Sequence, residues 1–242
     1  MGCQTLHLNP QFLYNAPNTR RFSLQPNLKL LKTTSLSSNN LNEPLSTATI
    51  NQTQNPTTHS SNVNFKTLGD CKLGISRYPD FDYNASGGAG SGTATKLSDG
   101  QVYVEFDVKK LSIPPLSTAT TTFLGLPLPP FLKIDIVPVA FQGEINQESG
   151  KVDLKFIAEF CFSVGSLYKA RPLLVETVLT SEESKGKMRE GRGERMDGDG
   201  KCRLVGVATV EPINDLFMDT FLSLPTECLA NLNAVISFST TE

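Results

Sequence analysis

The chain of 242 residues has no tryptophan and only two histidines, His7 and His59. Both histidines fall within the first 62 residues, where acid is almost missing too, since Glu43 is the only acidic side chain. Residues 63–242 therefore lack imidazole, which removes the commonest general base, the His-containing triads and most zinc sites. Unbroken apolar runs are scarce as well: none approaches the roughly 18–20 residues that a bilayer-spanning helix needs. Cys71, Cys161, Cys202 and Cys228 lie far apart with no C-x-x-C pair, so neither a zinc ribbon nor a redox motif is spelled out. Cys161, inside an apolar run, reads as a small buried hydrophobe. No metal and no organic cofactor is expected.

The first 62 residues hold sixteen Ser or Thr and ten Asn, with Arg20, Arg21, Lys29 and Lys32 as the only basic side chains. Apolar side chains recur there with no period, so too little surface can be buried to offset chain entropy. An acid-poor, hydroxyl-rich start is the composition that organelle import reads and removes. Mitochondrial leaders spread Arg along an amphipathic helix, whereas Arg20-Arg21 stand alone here, so a chloroplast address is favoured over a mitochondrial one. The expected organisation is a transit peptide or disordered leader over 1–62, then one domain over 63–242, in the stroma or peripheral to the thylakoid. Residues 63–242 carry 18 basic and 23 acidic side chains. That balance excludes nucleic acid as a natural partner, because phosphate neutralisation needs a basic surface.

Period-2 alternation dominates the remainder. Val102, Val104, Phe106 and Val108 share one face, opposite Tyr103, Glu105, Asp107 and Lys109, as in a half-buried strand. Leu132, Ile134 and Ile136 suggest a second strand broken by Pro138, and the polar segment 143–150 a hairpin turn. Val152, Leu154, Phe156, Ala158, Phe160, Phe162 and Val164 then form one unbroken apolar line, a length suited to a curved barrel wall. Further strands are expected over 65–76, 172–180, 202–210 and 232–238. Asn214-Asp215 suits the cap of a short amphipathic turn through Leu216, Phe217, Phe221 and Leu222 that ends near Pro225, and Thr226 the cap of a second turn to Leu232. These signals predict an all-β fold: one antiparallel β-barrel, half-barrel or sandwich of about 7–8 strands with one or two short helices.

Two segments break the pattern. Residues 181–201 hold six acids, six bases and five glycines, which predicts a flexible charged loop without a core. Its Asp197-Gly-Asp199-Gly lacks the remaining positions of a calcium loop. The run Ser86 to Thr93 is glycine-rich, but no Lys follows it directly and β-type residues come next. A flexible connection is expected there rather than a phosphate cradle.

Candidate chemistry is sparse. Glu105, Asp107, Asp135 and Glu159 lie on strands, and Tyr78, Tyr83, Tyr103 and Tyr168 are scattered. No nucleophile motif accompanies them. The uncharged segment 111–132 has five prolines yet carries nine large apolar side chains. Such a segment either plugs one end of the sheet or forms an apolar lip. The candidate ligand-binding or docking residues are Phe123, Leu124, Leu126 and Phe131 from that segment, with Phe106, Phe141, Phe156, Phe160 and Phe162 from the strands. Together they suggest a non-enzymatic plastid protein that binds a lipophilic molecule, or docks on thylakoid or envelope membrane. Two alternatives remain: an isomerase or cyclase using carboxylate or Tyr groups in an apolar barrel, and an assembly factor for a plastid protein complex. No segment carries a motif specific enough to name a family.

Overall fold

The computed structural model describes residues 60–239 except residue 99, so the expected leader, up to position 59, lies outside the described residues. In chain order the strands are β1 (Ser60–Thr67), β2 (Cys71–Ile75), β3 (Phe81–Tyr83), β4 (Ala89–Ser98) and β5 (Gln101–Phe106). Next come β6 (Thr121–Phe123), β7 (Leu126–Pro127), β8 (Leu132–Asn146), β9 (Lys151–Val164) and β10 (Tyr168–Lys169). The series ends with β11 (Leu173–Thr180), β12 (Glu183–Lys185), β13 (Glu190–Arg192), β14 (Lys201–Val210), helix α1 (Leu216–Phe221) and β15 (Thr226–Ser239).

Eight of these strands close a ring in the order β1, β4, β5, β8, β9, β11, β14, β15 and back to β1, every pair antiparallel. Closure limits the free edges that are the usual liability of a sheet this large, although β11 and β14 pair only at Thr180 and Val205. Side chains take over farther along, the Thr177 hydroxyl donating to the Val207 carbonyl and the Ser184 hydroxyl accepting the Val207 N–H. Alternation does the sorting. On β9 every residue of the line from Val152 to Val164 turns inward, while Lys151 and Lys155 stand outside in ion pairs with Asp153 and Glu176. Asp215 caps α1 by accepting from the N–H groups of Phe217 and Met218, as its place before the apolar turn suggests.

The wall forks at one end. The edge of β15 is shared, with β1 along Ala234–Ser239 and β2 along Cys228–Asn231. From β2 the sheet runs on through β3, β6 and β7, and Leu116 bridges back to Ile134 of β8. This flap and the first half of β8 enclose a second compartment beside the ring.

Several expectations need correction. Residues 60–62 pair with 93–95, so the β domain begins three residues inside the segment assigned to the leader. Pro138 does not end its strand. A bulge between Pro138 and Ala140 absorbs it and shifts the parity, so that Ile134, Ile136 and Phe141 all face inward. The glycine-rich run is not a loose connection, because Gly90 and Gly92 sit inside β4. A Cβ on Gly92 would lie 2.1 Å from the Glu105 carbonyl oxygen, so glycine permits the close approach of β5. Residues 226–232 are strand rather than helix, joined in the ladder to β14.

The segment 181–201 is not a flexible loop. It folds as the β12–β13 hairpin and lies on the outer face of β14, where Gly191 packs against Val205 and Leu229. Leu204 and Val205 are both fully buried, because the hairpin covers the face that would otherwise meet water.

Candidate functional site

The interior has two halves of different character. In the ring, Phe65, Phe106 and Phe141 form a ring-on-ring cluster with centroids 4.7–5.8 Å apart, packed among Val63, Val104, Ile145, Leu154, Leu204 and Ile236. That half is closely packed, with a void of only about 60 Å³ left beside Phe65, Leu111 and Phe141. Phe156, edge-on to Phe141 at 5.7 Å, and Phe160 form the divide.

Beyond the divide the forked end holds a cavity of about 400 Å³. Its walls come from the first half of β8 and the far halves of β9, β11, β14 and β15, closed by the flap and by α1. Among the lining residues are Leu73, Phe123, Ile134, Phe162, Val175, Ala208 and Met218. Pro129 and Phe221 both line the cavity and are exposed to solvent, which places its mouth between the 129–131 turn and α1.

Polar groups are few and already occupied. The Thr177 hydroxyl donates to the Val207 carbonyl at 2.8 Å, and the Tyr78 hydroxyl donates to the Phe221 carbonyl at 2.7 Å. Burial pushes the Cys228 thiol up to about 11, so it stays protonated at neutral pH and acts as an apolar surface. No Asp, Glu, Lys or Arg is among the lining residues. The four cysteines among the described residues are free, and burial pushes the Cys202 thiol up to about 12. Cys161 is half-buried on the outer face opposite Asp135 rather than fully buried. Among the described residues no cluster of His, Cys, Asp or Glu could hold a metal ion.

The candidates named from sequence therefore separate into three places. Phe123, Phe156, Phe160 and Phe162 line the cavity, while Phe106 and Phe141 are in the filled core. Leu124, Leu126 and Phe131 project outward, 72%, 70% and 77% exposed. Segment 111–132 does both things expected of it as alternatives, since Leu111, Leu116 and Leu128 are buried beneath its exposed tip. Glu105, Asp107, Asp135 and Glu159 do not face the cavity. Tyr168 donates to Asp215 at 2.7 Å and Tyr83 to the Pro114 carbonyl.

The buried carboxylate of the forked end escaped the sequence reading. Glu227 accepts the backbone N–H groups of Lys187, Met188 and Arg189 at 2.7–2.9 Å, and these donors hold its carboxyl below the usual value. Arg189 meanwhile donates to the carbonyls of Ser76 and Tyr78 and pairs with Asp80 at 2.6 Å. The β12–β13 turn thus ties β15 to the loop that carries Tyr78 into the cavity wall. Met218 is the member of the helix face that the expected turn lacks, although its i, i+3, i+4 spacing with Phe221 and Leu222 marks one face.

In comparison with known proteins, no family model matches this chain, and no curated protein or solved structure matches it.

Proposed function

We propose that this protein binds a lipophilic small molecule in the cavity of the forked end. The observation that carries the reading is the lining, which is apolar throughout and whose only hydroxyls already donate to backbone carbonyls. A ligand there gains from withdrawal of apolar surface, at about 25 cal/mol per Å². It would find no free donor or acceptor, so a buried polar group on it would be penalised. The favoured occupant is a hydrocarbon: a small terpenoid, or the end of an acyl or prenyl chain whose head stays at the mouth.

Isomerase or cyclase chemistry is less well supported, because general acid or base catalysis needs a titratable group beside the substrate and the lining offers no carboxylate. An assembly role would draw on the outer surface and leaves the open cavity without purpose. The acid-poor composition of residues 1–62 supports a plastid setting, where prenyl and acyl lipids are plentiful partners.

Titration of the full chain with an environment-sensitive apolar fluorophore tests the reading. Saturable one-site binding is expected, competed by a plain hydrocarbon. Ala208→Phe, which places a ring in the cavity, should weaken it about tenfold or more, equivalent to about 1.4 kcal/mol. Equal binding by Ala208→Phe and the parent would refute this site, as would an absence of saturable binding.

A further inference from the structure

The cavity mouth is set in an exposed apolar rim, and we propose that this rim docks on the surface of a bilayer containing anionic lipid. The inference extends the ligand reading to a source for the ligand, but it stands on its own surface.

Three segments that are distant in sequence build the rim. The β6–β7 hairpin supplies Leu124 and Leu126 and leads within a few residues to Phe131. The Phe131 carbonyl accepts the Gly165 N–H at 2.9 Å, so the β9–β10 turn with Leu167 lies beside it. Tyr168 then meets Phe217 of α1, with ring centroids 5.3 Å apart, and Leu216 projects from the same turn. Leu167 and Leu216 are 91% and 86% exposed. A contiguous set of such side chains around a mouth is not ordinary surface.

The backbone supplies a second, independent observation. Phe123 pairs with Leu126, so Leu124 and Gly125 are the two central residues of a tight hairpin, with φ of 52° and 79°. That turn favours Asn-Gly, because a bulky side chain at positive φ is strained. Phe131 likewise has φ 72°. Both positions hold a large apolar residue in a conformation it disfavours, and both direct it into water. Neither folding nor packing accounts for that choice; contact with an apolar phase does.

Charge indicates the kind of bilayer. Arg77, Lys169 and Arg171 are exposed at this end and belong to no ion pair among the described residues. Of the acids nearby, Asp215 is engaged by Tyr168 and the start of α1, and Asp219 by the Ile213 N–H. Glu211 alone is exposed without such a partner. Arg77 donates to the Ser223 hydroxyl and Arg171 to the Ile213 carbonyl, which holds both at this end. Apolar side chains flanked by cations outside ion pairs are the pattern of a surface that dips into a negatively charged interface.

Sedimentation of the full chain with vesicles provides the test. Binding is expected to phosphatidylcholine vesicles containing phosphatidylglycerol, and much less to phosphatidylcholine alone. The double substitution Leu124→Asn with Phe131→Asn should weaken it about tenfold or more while leaving the melting temperature equal or higher, since Asn tolerates the left-handed backbone. Lys169→Glu with Arg171→Glu should abolish the preference for anionic lipid. A parent chain left in the supernatant with both vesicle types would overturn the proposal, and so would a Leu124→Asn, Phe131→Asn variant that pellets like the parent. A solution dimer abolished by the same substitutions would assign the rim to a second copy and also overturn it. Failure here with fluorophore binding intact would leave the cavity reading standing.

Discussion

At the scale of single residues, phenylalanines of similar appearance in sequence have opposite duties. Phe141 is 3% exposed and touches three other rings, so truncation would leave a void in a filled core. Phe160 already borders open space. Phe141→Ala is expected to lower stability by about 3–5 kcal/mol, and Phe160→Ala by less than half of that, measured by urea denaturation. Sequence alone could not separate them, because both alternate correctly on inward faces. Which inward position meets a neighbour and which meets a cavity depends on the partner strand. For Phe141 that partner surface is Phe65 on β1 and Phe106 on β5, which only the closed ring brings together.

Among the elements, the β12–β13 hairpin departs furthest from expectation. Its composition argues for solvated chain, and as an isolated segment the argument holds. Order comes from outside it: the Glu227 carboxylate gathers three N–H groups of the turn, and Gly191 lets the hairpin lie on Val205. The signal present in sequence was on the covered partner, where Leu204-Val205-Gly206-Val207-Ala208 lacks the alternation of a strand with one wet face. Because Glu227 titrates below its usual value of about 4.5 when folded, its contribution is complete above that value and is lost as pH falls through the lowered folded value. Glu227→Gln should therefore reduce the melting temperature at pH 7 and flatten its decline between about pH 5 and 3, as followed by circular dichroism. A mutant melting curve with the same acid limb as the parent would sink this assignment. Strand β15 illustrates the opposite case. Cys228, Ala230 and Leu232 alternate properly, but the small side chains of Cys228 and Ala230 give too weak a signal to outweigh the helix cap at Thr226.

For the whole molecule, the division of the interior predicts an uneven resistance to opening. Amides of β1, β4 and β5, in the filled half, should exchange with deuterium more slowly than those of β2, β3 and β6, which wall the cavity and carry fewer buried contacts. A bound hydrocarbon should slow exchange in the second group and leave the first unchanged; uniform slowing would argue against a ligand confined to the forked end. The amino-acid pattern by itself determined an antiparallel β domain, its long central strand, the capped helix and the lack of histidine in residues 63–242. All of these follow from local periodicity and composition, which each segment carries alone. Only the tertiary structure decided that β15 divides its edge between β1 and β2, that half the interior stays open, and that Leu124 and Phe131 face outward. Such features depend on which strands meet across the ring, and pairing between residues more than a hundred positions apart leaves no trace in local periodicity.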